Sequence, residues 1–185
     1  VTAPYASSPD AQLARAQAAL RAGDDAAALD AVQKARRLKP DSEAGVLLDA
    51  QILSKRSPAA GLEVLATYLS DYPKAASIRA VYAQQLLSAD KLAEAHAQLQ
   101  VLVAQADISP EPLFAAAAIA IQAQDSQLAI QALQRLLTMD SVDTSLIEYN
   151  LGLAYESQAD MDKSRGDGQR TASAYSDAVM HYLKV

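Results

Sequence analysis

A self-similarity with a period near 34 residues runs through this chain, and no other feature restricts its fold as tightly. The phrase GDDAAALDAVQKARRLKP (23–40) recurs loosely as RSPAAGLEVLATYLSDYP (56–73), ADKLAEAHAQLQVLVAQAD (89–107) and QDSQLAIQALQRLLTMDS (124–141). Small residues open each phrase's helix at Ala28, Gly61, Ala95 and Ala129, spaced by 33, 34 and 34. Val32, Leu65, Leu99 and Leu133 follow one turn later, then Ala35, Tyr68, Leu102 and Leu136. A unit of this size is one supersecondary element that cannot bury its apolar face alone, so its neighbours must stack on it.

Composition says what the element is made of. The chain has 41 alanines against six glycines and seven prolines among 185 residues, a bias that favours helix. With 51% apolar and 21% charged residues, disorder is excluded. The 3.6-residue periodicity predicts first helices near 10–22, 42–54, 76–88, 111–123 and 145–158. Second helices are expected near 25–38, 58–71, 92–104, 126–138 and 173–184. Ser42 with Glu43, Pro110 with Pro112, and Asp143 with Thr144 supply start signals, and Pro40 and Pro73 follow helix ends.

A period of 34 in two helical halves resembles the tetratricopeptide repeat family. The small and apolar registers carry the likeness, together with YNLGLAYESQAD (149–160), where Leu151, Gly152 and Tyr155 match the family's Leu-Gly-x-x-Tyr arrangement. Ala16, Asp49, Ala83 and Ala117 stand where Gly152 stands, and Asp49 is the departure from a small residue. The resemblance implies an all-α fold, an α-α superhelix (a right-handed solenoid) of about five tetratricopeptide helix-turn-helix repeats. The expected layout is a linker over 1–8, then units over 9–41, 42–75, 76–109, 110–143 and 144–185. Measured from Ala129 to Ala178, the fifth unit is 15 residues too long, and its excess, MDKSRGDGQRTASA, is expected as a loop over 161–174. That stretch contains Arg165-Gly166-Asp167, a tripeptide short enough to arise by chance.

In the family, first helices line the concave side. The residues this implies as partner-binding are Leu13, Gln17 and Leu20; Val46, Ala50 and Leu53; Ala80, Gln84 and Leu87; Phe114, Ala118 and Ile121; and Tyr149, Leu153 and Glu156. Members that clamp acidic chaperone tails carry lysine, arginine or asparagine at such places, and none of these residues is one. The expected groove is mainly apolar and suits a peptide or amphipathic helix of another protein. The resemblance to alanine-rich bacterial members favours periplasm or cell envelope over cytoplasm, as part of a longer envelope protein. The short polar, proline-containing start suits a processed or excised chain. Two other roles remain open: a docking or regulatory domain of a larger enzyme, or a self-assembling module. Val179, Tyr182 and Leu183 put an apolar stripe on the last helix, which would allow a homodimer through that edge.

Catalysis and cofactors find little support. There is no cysteine, nucleotide-binding glycine motif or nucleophile elbow. His96 and His181 stand in different units with no histidine or carboxylate partner at a suitable spacing, so neither is expected to hold a metal. No cofactor is expected, and the chain is not expected to be an enzyme. The net charge is −6; residues 80–162 hold eleven acidic side chains against Lys91 and Arg135, so no nucleic-acid face is expected. Lys34, Arg36, Arg37 and Lys39 read as cations favouring a helix C-terminus. No apolar run reaches bilayer length, so no membrane insertion is expected.

Overall fold

The computed structural model describes residues 8–140 and 142–185, and all regular structure among them is helical. The expected linker therefore lies outside the described residues except for Ser8, which precedes the first helix as its cap. Its hydroxyl caps that helix by accepting from the Ala11 N–H at 3.2 Å. The helices are α1 (Pro9–Arg21), α2 (Asp25–Leu38), α3 (Glu43–Arg56), α4 (Pro58–Asp71), α5 (Ala76–Ser88), α6 (Leu92–Ala104), α7 (Pro110–Gln122), α8 (Ser126–Leu136), α9 (Thr144–Ser164) and α10 (Gly168–Tyr182). The first eight begin and end within two residues of their expected bounds.

The chain divides into two compact units, Val1–Gln85 and Leu86–Val185, with the division inside α5. In unit one α1 pairs with α2, α3 with α4, and α2 joins the pairs by packing on α3. Ala16, Ala28, Ala31, Val32, Leu48 and Ile52 form one buried cluster there. Val46, Ala50, Leu65, Tyr68, Leu69, Ala75 and Ile78 form the next. At Gly61 α4 lies close against α3, since a Cβ there would lie 2.9 Å from the Ala50 carbonyl oxygen.

In unit two α7 pairs with α8 and α9 with α10, while α8 packs on α9 and α6 on both α7 and α8. Leu86, Leu99, Leu102, Leu113, Leu133, Leu136, Ile147 and Leu151 are its largest fully buried side chains. The repeat registers read from the sequence are thus the core registers. Ala28, Gly61, Ala95, Ala129 and Ala178 are all buried, as are Ala16, Asp49, Ala83, Ala117 and Gly152.

Four of the five turns within helix pairs share one geometry, the exception being the α3–α4 junction at Ser57, which is extended at φ −154°. After α1, Gly23 adopts φ +78° while the Asp24 N–H reaches back to the Ala19 carbonyl at 2.9 Å, closing a Schellman motif. Asp24 then caps α2 by accepting from the Ala27 N–H at 2.9 Å. Asp90 (φ 60°) and Gln124 (φ 58°) take the left-handed place after α5 and α7, with Lys91→Leu86 and Asp125→Ala120 backbone bonds.

Gly166 (φ +77°) repeats the motif after α9, and Asp167 caps α10 by accepting from the Arg170 N–H at 3.1 Å. This corrects the expected loop over 161–174. Only residues 165–167 leave the helices, and the extra residues lengthen α9 to 21 residues and α10 to 15. The buried face of α9 continues through Ala159 and Asp162, and that of α10 runs through Ala174 and Ala178. Alanines bury readily and Asp162 is buried while accepting from the Gln158 amide at 3.1 Å, yet neither produces hydrophobic periodicity. Arg165-Gly166-Asp167 is accordingly a helix-to-helix turn.

Candidate functional site

The residues expected to line a groove divide by burial. In unit one, Val46 and Ala50 are fully buried in the α3–α4–α5 cluster and Ala80 is 5% exposed, so all three are corrected to core residues. Val46 and Ala50 share their cluster with Leu65, Tyr68, Leu69, Ala75 and Ile78, and Val81 and Tyr82 of α5 pack against that cluster. Leu13 and Leu20 pack on the α1–α2 cluster, and Leu53 and Gln84 are half-buried. Gln17 is exposed.

In unit two the first-helix faces are more open. Leu87, Phe114, Ile121 and Leu153 are half-buried; Ala118, Tyr149 and Glu156 are exposed. Along α9 the residues Leu146, Tyr149, Leu153, Glu156 and Asp160 follow one another at spacings of 3, 4, 3 and 4, which places them on one stripe. Leu146 is 46% and Tyr149 47% exposed, high for large apolar side chains.

Two clefts flank this stripe. One, of about 270 Å³, is lined by Pro110, Glu111 and Phe114 of α7, Leu136 of α8, and Val142, Asp143, Leu146 and Ile147 at the start of α9. The other, of about 450 Å³, is lined by Leu153, Glu156, Ser157, Asp160, Met161 and Ser164 of α9 with Gln124 of the α7–α8 turn. Leu146 and Asp160 lie outside the expected set because α9 runs on to Ser164, past the expected end at 158, and its stripe starts one turn before Tyr149. The 3-4-3-4 spacing was the available signal.

The last helix borders the stripe. Tyr182 donates its hydroxyl to Glu156 at 2.9 Å, and Tyr175 donates to Asp160 at 2.6 Å. The Tyr182 ring stands 5.9 Å from that of Tyr149. Burial, and then the hydrogen bond to Glu156, push the Tyr182 phenol up to about 12. Tyr182 thus faces α9, whereas Val179, Met180 and Leu183 are exposed, Leu183 at 77%.

Both histidines do have carboxylate partners, contrary to expectation. His96 Nδ1 pairs with Asp125 and His181 Nδ1 with Glu148, across sequence separations of 29 and 33. Lys184 also donates to Glu148 at 3.3 Å. Burial raises the Glu148 carboxyl, but the hydrogen bonds from His181 and Lys184 outweigh it and hold the group below its usual range. Among the described residues no group of histidine, cysteine or carboxylate side chains is placed to hold a metal ion.

Unit one has a different cleft, unforeseen from sequence, of about 520 Å³ on its second helices. Gln33, Arg36, Arg37 and Pro40 line it with Asp49, Thr67, Tyr68, Asp71 and Tyr72. Tyr68 and Tyr72 stack at 4.5 Å, and the Tyr68 hydroxyl donates to the Asp41 carbonyl at 2.9 Å. Arg36 reaches from α2 to the buried Asp49 of α3, which accounts for an acid at a register otherwise held by small residues. Arg36 therefore does more than complement a helix dipole.

No family model and no curated protein sequence matches the chain. Solved structures do. The crystal structure of MamA protein aligns with a TM-score of 0.59 at 15% identity, covering 95% of this chain and 92% of that one. The structure from the functional characterization of Pseudomonas aeruginosa pilF gives 0.57 at 15% identity, with 95% of each chain covered. A tetratricopeptide repeat protein from Parabacteroides merdae gives 0.53 at 16% identity, covering 94% and 79%. At these identities the likeness shows fold alone. That fold is all-α and of the tetratricopeptide repeat type. Among the described residues no helix is long and apolar enough to cross a membrane.

Proposed function

We propose that this protein is a non-enzymatic protein-interaction scaffold, and that the first-helix face of unit two takes a peptide or amphipathic helix of another protein. The observation that carries the reading is the open stripe on α9. Leu146 and Tyr149 present large apolar surface beside a cleft lined by Phe114, Leu136, Val142 and Ile147. Exposed anchors at helical spacing beside an apolar cleft suit a helix laid into a groove. The tetratricopeptide repeat fold supports this reading.

The test is to compare partner recovery from the source cell using the native chain, Tyr149→Asp, Phe114→Asp and the second-helix variant Gln131→Asp. Tyr149→Asp and Phe114→Asp should lose the partner while keeping their helical circular dichroism. Retention by both, with loss in Gln131→Asp, would move the site off this face.

A second reading rests on its own observation. Val179, Met180 and Leu183 leave an apolar face on α10 uncovered. If this face joins two copies, light scattering will show a mass that rises with concentration and returns to that of the monomer in Met180→Glu. A monomer at all concentrations would exclude it.

A further inference from the structure

We infer that the occupant of the unit-two face is a basic amphipathic helix of a partner, with lysine or arginine beside its apolar anchors. This rests on the groove reading above and adds the partner's charge. Each cleft along α9 carries two carboxylates: Glu111 and Asp143 at one, Glu156 and Asp160 at the other. All four side chains are exposed. No lysine or arginine lines either cleft; Lys163, next along the helix after Asp160 on this side, is absent from the lining.

The charges of these carboxylates are not neutralised by the contacts they make. Glu156 and Asp160 accept from tyrosine hydroxyls, and Asp143 accepts from the Leu146 N–H at 3.2 Å. All three donors are neutral. Of the six lysines and arginines in unit two, Lys163 and Arg165 line neither cleft, and the other four are committed elsewhere. Lys91 pairs with Glu94, and Arg135 donates to the carbonyls of Val103, Gln105 and Ala106. Lys184 is held by Glu148 and Arg170 by Asp167.

From Asp143 to Asp160 the acid pairs are separated by about 25 Å of helix, at 1.5 Å per residue. Between them lie Leu146, Tyr149 and Leu153. A helix laid along this stripe would bury apolar residues at its middle and meet carboxylates at both ends. An acidic segment would face like charges there, and a neutral one would desolvate carboxylates without giving them a partner. A segment with cations flanking its apolar face satisfies both parts of the surface.

Two designed helical peptides with the same leucine face test this, one flanked by lysines and one by glutamates, with binding followed by fluorescence anisotropy. The lysine peptide should bind and weaken with added salt, and the glutamate peptide should bind at least about tenfold less tightly. Glu156→Gln with Asp160→Asn, and separately Glu111→Gln with Asp143→Asn, should each weaken the lysine peptide severalfold. Asn still caps α9, so the second pair keeps its fold. Equal binding of the two peptides, abolished by Phe114→Asp, would overturn the charge inference and leave the groove standing. No binding of either peptide, or lysine-peptide binding indifferent to all these variants, would overturn both.

Discussion

The ring of Tyr182 occupies the space that a side chain on Gly152 would need. A Cβ at Gly152 would come within 2.3 Å of Tyr182 Cε1, so α9 and α10 can meet in this way only over a glycine. In an open helix Gly→Ala would add stability. Here Gly152→Ala should cost about 1–2 kcal/mol, because the ring must swing away and give up its bond to Glu156. Adding Tyr182→Leu should recover part of the loss. Thermal melts of the two variants check this, and a Gly152→Ala protein as stable as the native one would remove the steric account.

The same tyrosine makes stability depend on alkaline pH. Its phenol is raised from 10.0 to about 12 in the folded chain, so the folded state holds this proton more tightly than the unfolded state does. The stabilisation is complete below pH 10 and is lost as pH rises through about 12. Denaturant midpoints between pH 9 and 12 should fall more steeply for the native protein than for Tyr182→Phe. Parallel curves would show that this phenol does not contribute.

What could be read from the sequence, and what could not, follows the range of the forces involved. Helix bounds depend on residues within a few positions of one another and the Ala28–Gly61–Ala95–Ala129 register on a repeat of them, and periodicity exposes both. The long α9 stayed hidden because Ala159 and Asp162, its later buried residues, carry no apolar signal. His96–Asp125, His181–Glu148 and Arg36–Asp49 join residues 13 to 33 positions apart, on helices whose relative rotation the chain does not spell out. The residues expected to line a groove differ in burial for the same reason. Family register marks equivalent faces on α3 and α9, but on α3 Val46 and Ala50 are fully buried in a core cluster. On α9 Tyr149 is exposed.

The turn after α7 offers a gain. Gln124 sits at φ 58°, where Gly23 and Gly166 serve the corresponding turns. A side chain strains this conformation, and glycine relieves the strain at the cost of a more flexible unfolded chain. Gln124→Gly should therefore raise stability by about 0.5–1 kcal/mol. Ala123→Gly, at an ordinary φ of −78°, should lower it. Urea denaturation of both decides the matter, since the two changes must have opposite signs.

The Arg36–Asp49 pair should respond unequally to losing either member. Asp49 is 3% exposed at its side chain and Arg36 27%. Arg36→Met keeps much of the apolar stem but leaves a buried carboxylate without its cation, at a cost of about 2 kcal/mol or more. Asp49→Ala installs the residue found at the same register in Ala16, Ala83 and Ala117, and leaves an arginine that can turn toward water. It should cost less than about 1 kcal/mol. The double variant should lie closer to Asp49→Ala than to Arg36→Met, because the charge that made the arginine necessary is gone. Equilibrium unfolding of the three variants measures this, and an Asp49→Ala protein less stable than Arg36→Met would show that the acid contributes packing or bonding beyond the ion pair.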